Sequence, residues 1–358
     1  MKYLSVLFFP LVFVVGLNAQ ISVNNSQIKD LSDPVDSQDA VSKSYLLSQI
    51  NQLQTQLKYL QKNLNVTPAN ECIDGNAGGY ACMGINLMSS VNLEQLNATM
   101  ANDCWGWTDM KTGSEYAIIG LDNGTAFIDV TIPNQPVILG KLPTQTEDSA
   151  WRDVKVFENY AYIVSEAENH GMQVFDLTRL RDTENVTIFS SDGYYDGFGN
   201  AHNIAINEHS PYAYAVGSQT YAGGAHFIDI TNPENPTSAG GYAASGYSHD
   251  AMVVNYNGPD LDYKGKEIYF GSNEDEVVIV DVTDKSNPTF ISSFKYSQTQ
   301  YTHQGWLTAD HKYFFVGDEL DELYNGINTR TIILDLTDLD QPQIHFEYMS
   351  PLSVIDHN

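Results

Sequence analysis

Four histidines recur at nearly equal steps through the C-terminal half of the chain. His202, His249, His303 and His357 are 47, 54 and 54 residues apart, and each opens a strand-like run such as "HNIAIN", "HDAMVV" or "HQGWLT". Imidazole is the commonest transition-metal ligand near neutral pH, so imidazoles repeated at a fixed step point to a ring that holds a divalent metal ion. The residues that follow them, Asn203, Asp250 and Gln304, have the chemistry to orient such rings from behind. Histidines at repeated strand starts can equally bond the neighbouring unit and do no chemistry. Acidic stretches lie in the same repeats: "SEAENHG" (165–171), "SNEDE" (272–276) and "DELDEL" (318–323). From them Glu166, His170, Glu274, Asp275, Asp318 and Glu319 are candidate ligand-binding residues, suited to a divalent metal or a cationic ligand. There is no G-x-S-x-G elbow, no H-E-x-x-H, no P-loop and no EF-hand string, so no residue is assigned a catalytic role.

A second repeat says what must position these groups. "TAFIDVTIPNQP" (125–136), "MQVFDLT" (172–178), "AHFIDITNPENP" (225–236), "VVIVDVTDKSNP" (277–288) and "TIILDLTDLDQP" (331–342) are variants of one segment. Their aspartates, Asp129, Asp176, Asp229, Asp281 and Asp335, are spaced by 47, 53, 52 and 54 residues. A period near fifty with four strand-like runs per unit predicts propeller blades. Five copies around one ring cannot all be catalytic. A carboxylate at a strand end accepts backbone N–H bonds from the turn that follows, and this is the role expected here. The first strand of each blade lines the channel, which makes the histidines converge, with Arg152 and Trp105 expected in their slot in the first two blades. The fourth strand of blade 2 is expected at "NVTIF" (185–189). Loops between second and third strands share the histidine face, and the Asn-Pro turns lie opposite. The tryptophans in or beside the first strands read as core packing rather than a carbohydrate platform.

The fold class is therefore all-β: a β-propeller of four-stranded blades, five visible and a sixth begun at "VIDHN", preceded by a short N-terminal coiled-coil helix. The ring is expected to continue past Asn358. Residues 1–19 have the charged start and apolar run of a signal peptide, too short for a convincing membrane span. Residues 20–66 hold a polar lead and a helix in which Leu46, Ile50, Leu53, Leu57, Leu60 and Leu64 follow heptad spacing. That seam predicts a homo-oligomer through residues 45–64; the alternative is a lone helix packed on the main domain. Residues 67–101 form a Cys/Gly-rich linker, and 102–358 the propeller. Cys72 pairs with Cys82, or Cys82 with Cys104, or neither; no His/Cys spacing fits zinc. With 17 basic and 45 acidic residues among 358, the net charge of −28 repels nucleic acid and anionic membranes.

The third-strand signature resembles the LVIVD repeat. The stretches "ECIDGNAGGYACMGINL", "NDCWGWTD", "HGMQVFDLTRLRD", "GFGNAHNIAINE", "SHDAMVVNYNGPD", "YTHQGWLT" and "DELDELYNGINTRTIILDLTD" resemble the choice-of-anchor B family over roughly residues 70–358. That resemblance implies a secreted, surface-attached protein whose C-terminal sorting signal varies between members, and it carries no established activity to particular residues. The expected function is a secreted or cell-surface binding and adhesion module for an extracellular protein or glycan, with its ligand face at the channel mouth. The other reading is a metal-dependent extracellular enzyme, a polysaccharide lyase or hydrolase using the histidine ring. Deleting residues 20–66 is expected to lower the oligomer mass in sedimentation; equal monomer mass with and without them would end the oligomer reading.

Overall fold

The computed structural model describes residues 70–183 and 185–355, so the signal peptide, the coiled-coil helix and His357 lie outside the described residues. Five sheets built on four antiparallel strands follow one another along the chain, the first joined by a short parallel strand, Thr187–Ile188. Blade 1 is β1 (Ala101–Asp109), β2 (Ser114–Leu121), β3 (Gly124–Asp129) and β4 (Val137–Pro143). Blade 2 is β5 (Arg152–Phe157), β6 (Tyr160–Ser165), β7 (Met172–Asp176) and β8 (Gly193–Tyr195). Blade 3 is β9 (Asn203–Ile206), β10 (Tyr212–Val216), β11 (Ala225–Asp229) and β12 (Thr237–Tyr242). Blade 4 is β13 (Asp250–Asn255), β14 (Glu267–Ser272), β15 (Val277–Asp281) and β16 (Thr289–Phe294). Blade 5 is β17 (Thr302–Leu307), β18 (Tyr313–Asp318), β19 (Arg330–Asp335) and β20 (Gln343–Met349), with a short helix α1 (Asp321–Asn325) between β18 and β19. Among the described residues, no helix is long and apolar enough to cross a membrane.

The apolar runs of the middle strands follow from burial on both faces. In β15 the residues Val277, Val278, Ile279 and Val280 are all buried, alternating between the cores on either side. Blades 1 and 2 share a core of Ile118, Phe127, Ile163 and Phe175. Tyr162, Val174, Ala215 and Ile228 fill the next. Tyr214, Phe227, Tyr269 and Val280 separate blades 3 and 4, and Phe270, Ile279, Phe314 and Ile332 separate blades 4 and 5. The outer side of blade 1 is covered by Val91, Leu93 and Leu96 of the preceding segment. In that segment Cys72 and Cys82 are bridged, whereas Cys104 is a free, exposed thiol.

The repeated aspartate is a turn staple in every blade. Asp129, Asp176 and Asp229 each accept from the amide of the threonine two residues on at 2.9 Å, Asp281 from Thr283 at 3.0 Å and Asp335 from Thr337 at 2.8 Å. The fourth strand of blade 2 departs from expectation. Thr187–Ile188 runs parallel to β4 of blade 1, in register with Gly140 and Lys141, and β8 takes the fourth place in blade 2. A turn of 3-10 helix at Leu177–Leu180 lengthens the connection, which crosses to blade 1 before returning. Gly140 permits that crossing, since a Cβ there would stand 2.1 Å from the Thr187 carbonyl oxygen. Phe189 then locks edge-on against Phe127.

Replacing Asp281 by alanine removes the Thr283 bond and the Lys266 ion pair at 3.1 Å. The expected cost is about 1 kcal/mol, read as a lower urea midpoint; an unchanged midpoint would contradict the staple role.

Candidate functional site

The five inner strands β1, β5, β9, β13 and β17 stand side by side, and cross-strand bonds fix their mutual height. Asp103 Oδ2 accepts from the amide of Val154 at 3.1 Å, and Asp153 Oδ2 accepts from the amide of Ile204 at 2.7 Å. Asp103, Asp153 and Asn203 are therefore equivalent, one residue after Asn102, Arg152 and His202. Asn102 takes the slot expected for Trp105, and its Oδ1 accepts from the amide of Arg152 at 3.1 Å. Trp105 lies one pleat further along, level with Lys155.

His202, His249 and His303 come together as a row of rings. Centroids are 4.1 Å apart between His202 and His249, and 4.3 Å between His249 and His303. Trp151 extends the row 6.0 Å from His202, and Tyr301 meets His249 edge-on at 5.3 Å. Both ends carry a carboxylate: Glu166 Oε1 accepts from His202 Nδ1 at 2.6 Å, and Glu319 Oε2 lies 3.8 Å from His303 Nε2. His249 Nδ1 donates to the His303 carbonyl at 3.0 Å. Two of the three Nδ1 atoms are thus engaged by protein oxygens. Among the described residues, the set of three ligand atoms lying within 4.8 Å of one another belongs to Asp260, Asp338 and Asp340, in the turns of the opposite face, and not to the imidazoles.

In blade 2 the slot turns inward. Arg152 is fully buried and donates to the Leu121 carbonyl, Thr144 Oγ1 and His170 Nε2, each at 2.8 Å. A guanidinium only donates, so His170 Nε2 accepts and Nδ1 gives its proton to the Gly171 carbonyl at 3.0 Å. Burial, reinforced by the Arg152 charge, pushes the His170 pKa down to about 4. His170 is therefore a buried prop, not a residue of the mouth. Asp318 is also buried: it accepts from Tyr296 Oη and from the amides of Gln300 and Tyr301, each at 2.9 Å, and so fixes the loop before β17. Asp275 pairs with Lys295 at the surface. Glu274 stands one step back, beside Tyr301. Of the six loop residues expected there, Glu166 and Glu319 reach the cavity.

That cavity, about 880 Å³ and open to solvent, is lined from all five inner strands and extends along one face of blade 5 past Phe315 and Thr331. Deep in it sits a charge cluster that no repeat announced. Lys155 Nζ lies 2.6 Å from Asp153 Oδ1 and 3.5 Å from Asp103 Oδ2, and 4.8 Å over the Trp105 ring. Burial opposes the ammonium, but Asp153 and Asp103 outweigh it and hold its pKa above the usual range. Burial likewise opposes the Asp153 charge, yet Lys155, Asp103 and the Ile204 amide keep it low. Asp103 bears the consequence: burial, then its bond to Asp153 and the Asp153 charge, raise its carboxyl well above the carboxylate range. Asp250 is pushed up to about 6, chiefly by burial. Tyr247, Tyr301 and Trp306 supply the remaining ring surface. The signal for Asp103 and Asp153 was positional: both directly follow the histidine slot once blade 1 is aligned on Asn102.

With this geometry in hand, similarity to known proteins can be placed. The LVIVD repeat family matches residues 150–171 and 260–295. No curated protein matches the chain. A protein of unknown function from Desulfotomaculum acetoxidans has a similar structure, at 13% identity over 70% of each chain and a TM-score of 0.50. The β-propeller domain of Cps50 (Swd1) from Myceliophteria thermophila gives 11% identity, 71% of this chain, 72% of that one and a TM-score of 0.44. At such identities the likeness concerns the fold alone. The chain is thus a β-propeller with LVIVD repeats.

The buried imidazoles make stability pH-dependent. His226, bonded to Tyr195 Oη at 2.8 Å and Thr220 Oγ1 at 2.9 Å, is pushed down to about 4 by burial, as His170 is by burial and Arg152. Between pH 6.5 and 4 the unfolded chain takes up protons that these groups refuse when folded. Their contribution is complete above 6.5 and is lost as pH falls, at up to about 1.4 kcal/mol per unit for each group. His226→Gln is expected to flatten the fall of urea midpoint across that window; a slope equal to wild type would refute this account.

Proposed function

We propose that this chain is a secreted or cell-surface propeller of the choice-of-anchor B type that binds an extracellular ligand in its axial cavity without transforming it. One observation carries the reading: a cavity of about 880 Å³ into which all five inner strands deliver aromatic, imidazole and carboxylate side chains. That volume lies within the range of small-ligand and peptide sites, and mixed ring and polar lining is their usual chemistry. The sequence supplies no nucleophile motif beside it. The anchor, and assembly through residues 45–64, belong to the same proposal: several copies on one surface would raise avidity without new contacts.

A second reading, a metal-dependent lyase or hydrolase, would draw on the approach of His202, His249 and His303, whose ring centroids lie 4.1 and 4.3 Å apart in turn. Elemental analysis of purified protein that has not met a chelator separates the two. The binding reading expects no stoichiometric metal. Metal present in wild type and lost in both His249→Ala and His303→Ala would favour the enzyme. Binding itself is tested on arrays of glycans and extracellular proteins with wild type and Trp306→Ala. Trp306 is largely exposed and lines the cavity, so the variant is expected to fold and to lose at least tenfold in affinity. Equal binding by both would remove the cavity from the reading.

A further inference from the structure

Among the described residues, Lys155 is the lysine that meets two carboxyl groups. Its Nζ donates to Asp153 Oδ1 at 2.6 Å and to the Val154 carbonyl at 3.3 Å, and Asp103 Oδ2 lies 3.5 Å away. The Trp105 ring covers it at 4.8 Å, and the lysine side chain is 14% exposed. Asp103 stands on β1 and Lys155 on β5, the inner strands of blades 1 and 2.

Backbone amides hold both carboxyl groups in place. Asp153 Oδ1 accepts from Val154 at 2.8 Å and its Oδ2 from Ile204 at 2.7 Å. Asp103 Oδ2 accepts from the same Val154 amide at 3.1 Å. Burial and the Asp153 charge favour the neutral acid at Asp103. An amine beside a neutral carboxyl group, with a carboxylate in reach of its proton, has the parts of an amide bond. Fixed proximity supplies what two separate solutes lack.

We propose that Lys155 and Asp103 condense into an isopeptide bond that joins β5 to β1, with Asp153 as the proton acceptor. Nζ gives one proton to Asp153 and its lone pair to Asp103 Cγ. The Val154 amide, already on Oδ2, stabilises the charge that this oxygen takes up. A second Nζ proton passes to the Asp103 hydroxyl, whose bond to Cγ breaks, and water leaves. The new Nζ–Cγ amide keeps one proton, Asp153 keeps the first, and no oxidant or other reactant is needed. A buried ion pair is replaced by a neutral amide. Blades 1 and 2 are then tied at their inner strands, as the Thr187–Ile188 crossing ties them at β4.

Lys285 marks the contrast. It is 10% exposed and pairs with Glu267 at 2.7 Å, but it meets no second carboxylate among the described residues. Glu267 also accepts from Asn207 at 2.7 Å and Tyr214 at 2.8 Å, which holds it as the anion. That pair stays ionic.

The test is the intact mass of the purified full chain, denatured, reduced and alkylated. Wild type is expected to be lighter by one water than the sequence from its observed N-terminus requires. Proteolysis is expected to release a branched peptide joining the segment of Asp103 to that of Lys155. Lys155→Arg keeps the charge and cannot condense, so it is expected at full mass. Asp153→Asn retains both reacting groups without the proton acceptor, and its main species is also expected at full mass. Should either variant fail to fold, the wild-type branched peptide decides alone. Wild type at full mass would overturn the bond, since an ion pair leaves the mass unchanged. A branched peptide joining Lys285 to Glu267 instead would overturn the assignment to Lys155. Loss of water from Asp153→Asn to the same extent as from wild type would overturn the role of Asp153.

Discussion

Every blade of this protein has two faces to cover, and neighbouring blades or, at blade 1, the preceding segment cover them. That constraint explains the continuous apolar third strands, which the alternation of a one-sided sheet would not produce. It also sets the order of the cores. Each sheet lends one set of alternate residues to the blade before it and the other set to the blade after, as Val278 and Ile279 do in β15.

Charge is distributed by the same logic. Backbone amides of one inner strand need acceptors, and Asp103 and Asp153 supply them to the next strand. Two carboxylates so close require compensation, which Lys155 provides. An arrangement that stitches blades together therefore also leaves a compact polar cluster at the base of the cavity. His170 with Arg152, and Asp318 with its loop, are similar: titratable groups whose work is to hold backbone in place.

The fold was legible because it repeats. Five aspartates in register could be recognised without knowing any one blade, and each proves to bond the same threonine amide. His202, His249 and His303 were legible for the same reason. Asp103 was not, since only the cross-strand register moves blade 1 from Trp105 to Asn102, and although Asp153 follows Arg152 in the expected slot, nothing in the repeat pairs it with Lys155. Loop acidity misled in a specific way. "DELDEL" contributes Glu319 to the cavity and buries Asp318 one residue earlier, a difference of side-chain direction that composition does not encode. The crossing of Thr187–Ile188 to blade 1 was hidden too, because "NVTIF" has the ordinary look of a fourth strand.

That crossing has a further meaning. Repeated blades joined only to their neighbours behave as a linear array, whose units can loosen one at a time from an end. Thr187–Ile188 hydrogen-bonds to β4 while the chain on both sides belongs to blade 2, and Phe189 plugs the core between the two. Blade 1 cannot peel away without pulling out part of blade 2's connection. The first two blades are therefore buckled into one cooperative unit.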